Sequence, residues 1–135
     1  MKKLVISVIG FGVIALGSAV ALAGLKTTNA SVTITNNADG TRTVSGDMGF
    51  VRNTADTVQH HGCFHRGDTG GEFVTCQSRT TAGTSTLCTT SDSRMIRVVD
   101  GMDSDSTLTY IIASGSSACT GIVAQTRSQA APKAL

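Results

Sequence analysis

The chain has 135 residues, a formal net charge of +2, four cysteines, no tryptophan and few other aromatics. Lys2 and Lys3 account for the whole net charge. Beyond them there is no basic stripe to neutralise phosphates and no polybasic cluster for an anionic bilayer, which argues against nucleic acid and membrane surfaces as partners.

Met1-Lys2-Lys3 opens an uncharged run from Leu4 to Leu25 that includes Ala21-Leu22-Ala23-Gly24. A basic start, an apolar stretch and a small-x-small cut site are the marks of an export signal, with cleavage expected between Ala23 and Gly24. The competing reading is an uncleaved anchor, because the run has the roughly 20 apolar residues a span needs. Gly10, Gly12, Gly17 and the Ala-Leu-Ala ending favour cleavage. The expected organisation is a signal peptide (1–23), a flexible leader (24–30), one β-rich domain (31–125) and a flexible tail (126–135). The domain is placed in the periplasm or outside the cell, where thiols usually end as disulfides.

Turn signals recur at short spacing through the domain, the pattern of antiparallel hairpins. Val32 and Ile34 alternate with Ser31, Thr33 and Thr35 before Asn37-Ala38-Asp39-Gly40 turns the chain. A loop spanning Ala38 to Gly40 pairs Val44 with Ile34 and puts Gly40 at the left-handed position such a loop requires. A strand is expected over Met48–Arg52, turned by Asn53 to Asp56. A meander follows: Thr57 to His65, a turn through Arg66-Gly67-Asp68-Thr69-Gly70-Gly71, Glu72 to Arg79, a turn at Thr81-Ala82-Gly83, and Ser85 to Thr89.

One short helix is expected near 91–101, capped by Thr90 or Ser91, with Met95, Ile96, Val98 and Val99 on its apolar side and Gly101 at its end. A last hairpin joins Leu108–Ile112 to Cys119–Val123 and sets Ile112 opposite Cys119. The predicted class is mainly β, a small sandwich or barrel with one helix. Phe50, Phe64, Phe73 and Tyr110 are its only aromatics, so the core is thin and disulfides matter.

The turn positions set Cys76 opposite both Cys63 and Cys88. Two pairings remain open: Cys63–Cys76 with Cys88–Cys119, or Cys76–Cys88 with Cys63–Cys119. The first is favoured because its second bridge ties the final hairpin to the meander.

His60, His61 and His65 are the only histidines, and as ligand types they suit zinc or copper. Strand geometry opposes a shared ion, since His60 points away from the others and His61 lies about 13 Å from His65 along an extended strand. They are weak metal candidates, and no cofactor is expected. Imidazole changes charge near neutral pH, so a pH-responsive role for the cluster is a further reading.

Arg66-Gly67-Asp68 resembles an integrin-recognition tripeptide, but Gly and Asp are ordinary turn residues. Asp100, Asp103 and Asp105 lack the spacing of a calcium loop. Glu72 has no second carboxylate placed beside it for glycoside hydrolysis. No Gly-x-Ser-x-Gly elbow or phosphate-cradling glycine motif occurs.

Gly46-Asp47-Met48-Gly49-Phe50-Val51-Arg52-Asn53, Gly62-Cys63, Phe73-Val74-Thr75-Cys76, Ala82-Gly83-Thr84, Leu87-Cys88-Thr89-Thr90-Ser91-Asp92, Ser117-Ala118-Cys119-Thr120 and the ending Pro132-Lys133 together resemble a group of small secreted bacterial proteins with four cysteines. The resemblance implies a bacterial, exported context and no catalytic residue. His61 and Ser93 depart from that pattern, standing where the group tends to have an aromatic and a proline.

The functional expectation is a non-catalytic binding protein or envelope component with an exported protein partner. A rival is a hydrolase inhibitor presenting the 66–71 hairpin loop. Another is a metal-binding or pH-responsive protein using His60, His61 and His65.

Overall fold

The computed structural model describes residues 30–126. The expected signal peptide, the leader up to residue 29 and the tail from residue 127 lie outside the described residues. The elements are β1 (Thr33–Asn36), β2 (Arg42–Asp47), α1 (Met48–Asn53), β3 (His60–Asp68), β4 (Gly71–Arg79), β5 (Ser85–Thr90), α2 (Ser93–Asp100), β6 (Thr107–Ile112) and β7 (Cys119–Gln125). The strands form two antiparallel sheets, ordered β1-β2-β6-β7 and β3-β4-β5. The mainly β class is therefore as expected. It takes the form of two open sheets, not a closed barrel, and the described residues hold two helices where one was expected.

The first hairpin has the register that its apolar pattern demands. Ile34 stands opposite Val44, Gly40 adopts φ 82°, and the Gly40 N–H donates to the Asn37 carbonyl at 3.0 Å. Asp39 accepts from the Thr41 N–H at 2.9 Å, tightening the same turn.

The Met48–Arg52 segment is a correction, because it forms helix α1 and not a strand. Asp47, only 4% exposed, accepts from the Phe50 N–H at 2.7 Å and so caps the first turn. A capping carboxylate satisfies backbone donors that a helix start leaves open, and this outweighs the strand-like alternation of Met48 and Phe50. Downstream, Asp56 accepts from the Val58 and Gln59 N–H groups at 2.9 and 2.7 Å. That local turn delays β3 until His60, three residues later than expected.

The second helix is also corrected at its start. Asp92, not Thr90 or Ser91, is the cap, accepting from the Arg94 and Met95 N–H groups at 2.8 and 3.4 Å. Strand β5 consequently runs on to Thr90. Ile96 and Val99 turn inward, and Gly101 ends the helix as expected, donating its N–H to the Arg97 carbonyl at 3.2 Å.

Cys76 faces Cys63 on one side and Cys88 on the other, the ambiguity anticipated from the turns. The sulfurs join Cys63 to Cys76 and Cys88 to Cys119. The first bridge links neighbours within one sheet; the second crosses from β5 to β7 and ties the two sheets together. Beside it the Thr89 N–H donates to the Ser117 carbonyl at 2.8 Å, and Thr89 makes a single parallel bridge to Ala118. Val44, Leu108, Tyr110 and Ile112 from one sheet meet Val74, Cys76 and Cys88 from the other, all fully buried. A bulge between Ile111 and Ile112 lets Cys119 oppose Ile112 while Tyr110 opposes Ile122.

Candidate functional site

Strand β3 separates its three histidines. His61 faces the core, where its Nδ1 lies 2.6 Å from Ser78 Oγ and its Nε2 lies 2.9 Å from the Leu108 carbonyl oxygen. His65, four residues on, pairs instead with Asp100 at 2.9 Å and approaches Glu72 at 4.0 Å. His60 is exposed on the opposite side of the strand. The three rings are thus not brought together. No group of three or more His, Cys, Asp or Glu among the described residues is arranged to hold a metal ion.

The contacts of His61 extend across the molecule. Its ring stacks on Tyr110 with centroids 6.0 Å apart and planes at 22°. The Tyr110 hydroxyl donates to Ser78 Oγ at 2.7 Å and lies 2.9 Å from Thr86 Oγ1. The side chains of His61, Ser78, Thr86 and Tyr110, with the Leu108 carbonyl, therefore connect β3, β4, β5 and β6 in one polar chain. Ser78, Tyr110 and Thr86 are buried, and no buried side-chain nitrogen or oxygen among the described residues lacks a partner. Burial holds the His61 imidazole below its ordinary pKa, against the Leu108 carbonyl and the Asp47 carboxylate, which favour the charged form. Burial likewise raises the Tyr110 phenol.

Ser78 and His61 sit at the distance of a nucleophile and its base. Ser78 is 0% exposed, so its hydroxyl faces the core and not solvent.

Residue alternation gives sheet β3-β4-β5 a second, outward face. With Cys63, Cys76 and Cys88 inward, Phe64, Arg66, Phe73, Gln77, Leu87 and Thr89 point the other way, as does Thr75, which its neighbours cover to 6% exposure. Phe64 and Leu87 are 47% and 46% exposed, and the Arg66 guanidinium lies 5.7 Å from the Phe73 ring centre. A groove of about 530 Å³ borders this face, lined by Phe73, Thr89, Thr90, Ser91, Ala118 and Cys119. A smaller depression of about 190 Å³ lies among His60–Phe64 and Gln77.

No family model matches the chain, and no curated protein or solved structure shows significant similarity to it. The functional reading therefore rests on its own residues.

The remaining sequence candidates have separate local roles. Asp68 accepts from the Gly70 N–H at 2.8 Å and shapes the β3–β4 turn, where Gly71 has φ 122°. Asp100 binds His65, Asp103 accepts from the Asp105 N–H at 2.9 Å, and Asp105 pairs with Arg52. Glu72 is a largely exposed residue near His65.

Sequence reasoning missed Ser78, Thr86 and Tyr110 as partners of His61. A signal existed for Ser78, which continues the inward alternation of Val74 and Cys76 and so had to be a buried hydroxyl. Its partners belong to other strands, and no local pattern specifies which strands meet.

Proposed function

We propose that this protein is an exported, non-catalytic binding module that engages a protein partner through the outward face of sheet β3-β4-β5. The observation that carries this reading is the exposure of Phe64 and Leu87, each nearly half open to solvent on the sheet face that the Phe73 groove borders. Large apolar side chains grouped on one face mark interaction surfaces more often than isolated ones do. Both bridges lie behind this face. That bracing favours binding, because a rigid surface loses less conformational freedom on association. The disulfides are also compatible with an oxidising, exported setting. The inward orientation of Ser78 supports a non-catalytic role.

The test compares capture by the mature oxidised protein with capture by a Phe64→Ser/Leu87→Ser double variant. A partner from native envelope or culture supernatant should bind the parent and be lost from the variant. A Thr35→Ala control on β1 should keep it. Equal recovery by all three proteins contradicts the assigned face.

A second reading has its own observation. Beyond the Cys63–Cys76 bridge, Phe64 to Glu72 form an exposed hairpin tip. Such a bridge-bounded loop suits an inhibitor of a hydrolase. Inhibition by the parent, lost when Arg66 and Asp68 are both changed to Ala, supports it; a hydrolase panel unaffected at micromolar protein removes it.

A further inference from the structure

The protons around His61 can be assigned one by one. A carbonyl oxygen only accepts, so Leu108 takes its hydrogen bond from Nε2–H at 2.9 Å. In the neutral ring Nδ1 is then an acceptor, and Ser78 donates to it across 2.6 Å. The Ser78 proton is thereby committed, so Ser78 accepts from the Tyr110 hydroxyl at 2.7 Å. Tyr110 in turn accepts from Thr86 at 2.9 Å. Every hydroxyl proton in the chain points toward His61.

We propose that His61 is an acid-operated latch between the two sheets. Protonation of Nδ1 leaves the hydroxyl chain one acceptor short and parts the sheets on the β3 side, while the Cys88–Cys119 disulfide keeps β5 attached to β7. This inference stands apart from the partner face and goes beyond it.

The charged ring presents a second N–H to Ser78, which must accept it. The chain then holds four protons, on Nδ1, Ser78, Tyr110 and Thr86, for three hydrogen bonds. Whichever way the hydroxyls turn, one proton is left without an acceptor beside side chains that are at most 7% exposed. A buried donor without an acceptor is costly, as is a buried charge. The ring packs closely on Gly46 of β2, where even a Cβ would sit 3.1 Å from His61 Cδ2. Relief comes as β3 moves away from β2 and β6, the strands against which the ring is held.

The groups facing the ring are few. Asp47 at the end of β2 favours the charged form, His60 on β3 opposes it, and Tyr110 of β6 lies against the ring. Burial is the largest influence and favours the neutral ring.

Tyr110 is the only tyrosine and the chain has no tryptophan, so tyrosine fluorescence reports on this chain of bonds alone. The experiment follows that signal and the histidine NMR resonances of the mature oxidised protein from pH 8 to pH 4. The expected result is a Tyr110 transition sharing its midpoint with His61, below the ordinary imidazole value of about 6.5. At pH 8 the nitrogen shifts should identify the Nε2–H tautomer. His61→Gln should abolish the Tyr110 transition. A Tyr110 signal that stays flat while His61 titrates overturns the latch, as does an Nδ1–H tautomer at pH 8. Should His61→Gln not fold, Ser78→Ala serves instead: it removes the relay, and a persisting coincident transition in it overturns the proposal.

Discussion

Cys88 and Cys119 lie 5.1 Å apart at their Cα atoms although their strands belong to different sheets. Their bridge closes a sequence separation of 31 residues, against 13 for Cys63–Cys76. The chain-entropy model assigns about 3.7 kcal/mol to the longer closure and about 2.9 kcal/mol to the shorter. Replacing Cys88 and Cys119 together by Ala should therefore lower stability more than replacing Cys63 and Cys76, as read from urea midpoints. The opposite order contradicts this account.

Tyr110→Phe keeps the ring stacked on His61 but removes the hydroxyl between Ser78 and Thr86. Thr86 loses its acceptor in the core, and a loss of about 1–3 kcal/mol is expected from an unsatisfied buried group. Equilibrium unfolding followed by circular dichroism measures it. A change below a few tenths of a kcal/mol means that the core has repaired the gap.

Acidification should weaken the fold in two stages. His61 is depressed in the folded state, so the unfolded chain binds its proton more readily. Its contribution is complete above the unfolded value of about 6.5 and is lost as pH falls through the folded value. The second stage involves carboxylates. Asp56 is held below the usual range by hydrogen bonds led by Gln59, Asp92 by those led by Arg94, and Asp39 by those led by Thr41. These contribute above the ordinary value of about 3.9, and their contribution declines as pH falls below it. Urea midpoints measured from pH 8 to pH 3 should fall in two steps, and His61→Gln should remove only the first.

How much of this was legible beforehand varies with the range of the physics. The Ile34–Val44 register, the Cys76 position between two neighbours and the Gly101 helix end follow from local alternation and turn chemistry. Met48–Arg52 misled because alternation favoured a strand while a single capping carboxylate, Asp47, decided for a helix. The start of β3 misled for a related reason, with Asp56 diverting the backbone. The His61 chain was invisible because it depends on which strands meet across the core. Sequence placed His61 beside His60 and His65; the fold paired it with Ser78, Tyr110 and Leu108.

Two glycines separate backbone strain from steric conflict. Gly40 and Gly115 both have positive φ, at 82° and 66°. A Cβ at Gly40 would overlap the Ser114 hydroxyl, whereas nothing lies within 4 Å of one at Gly115. Ala at either site should incur the left-handed penalty of about 1–2 kcal/mol. Gly40→Ala should lower the thermal midpoint further than Gly115→Ala, and equal losses would mean that Ser114 simply moves aside.

The polar chain also bears on how the strands find their places during folding. Leu108, Tyr110 and Ile112 share one face of β6, so sliding that strand by two residues keeps an apolar row against the core. Hydrophobicity alone hardly distinguishes the native alignment from such a slip. Ser78 and Thr86 do distinguish it, because Tyr110 carries a hydroxyl and its neighbours on that face do not. A slipped β6 would set Leu or Ile against the Thr86 hydroxyl in place of Tyr110 and take from Ser78 one of its two hydrogen bonds. In a core this uniform, a few polar atoms serve as the index marks by which one alignment is told from its near copies.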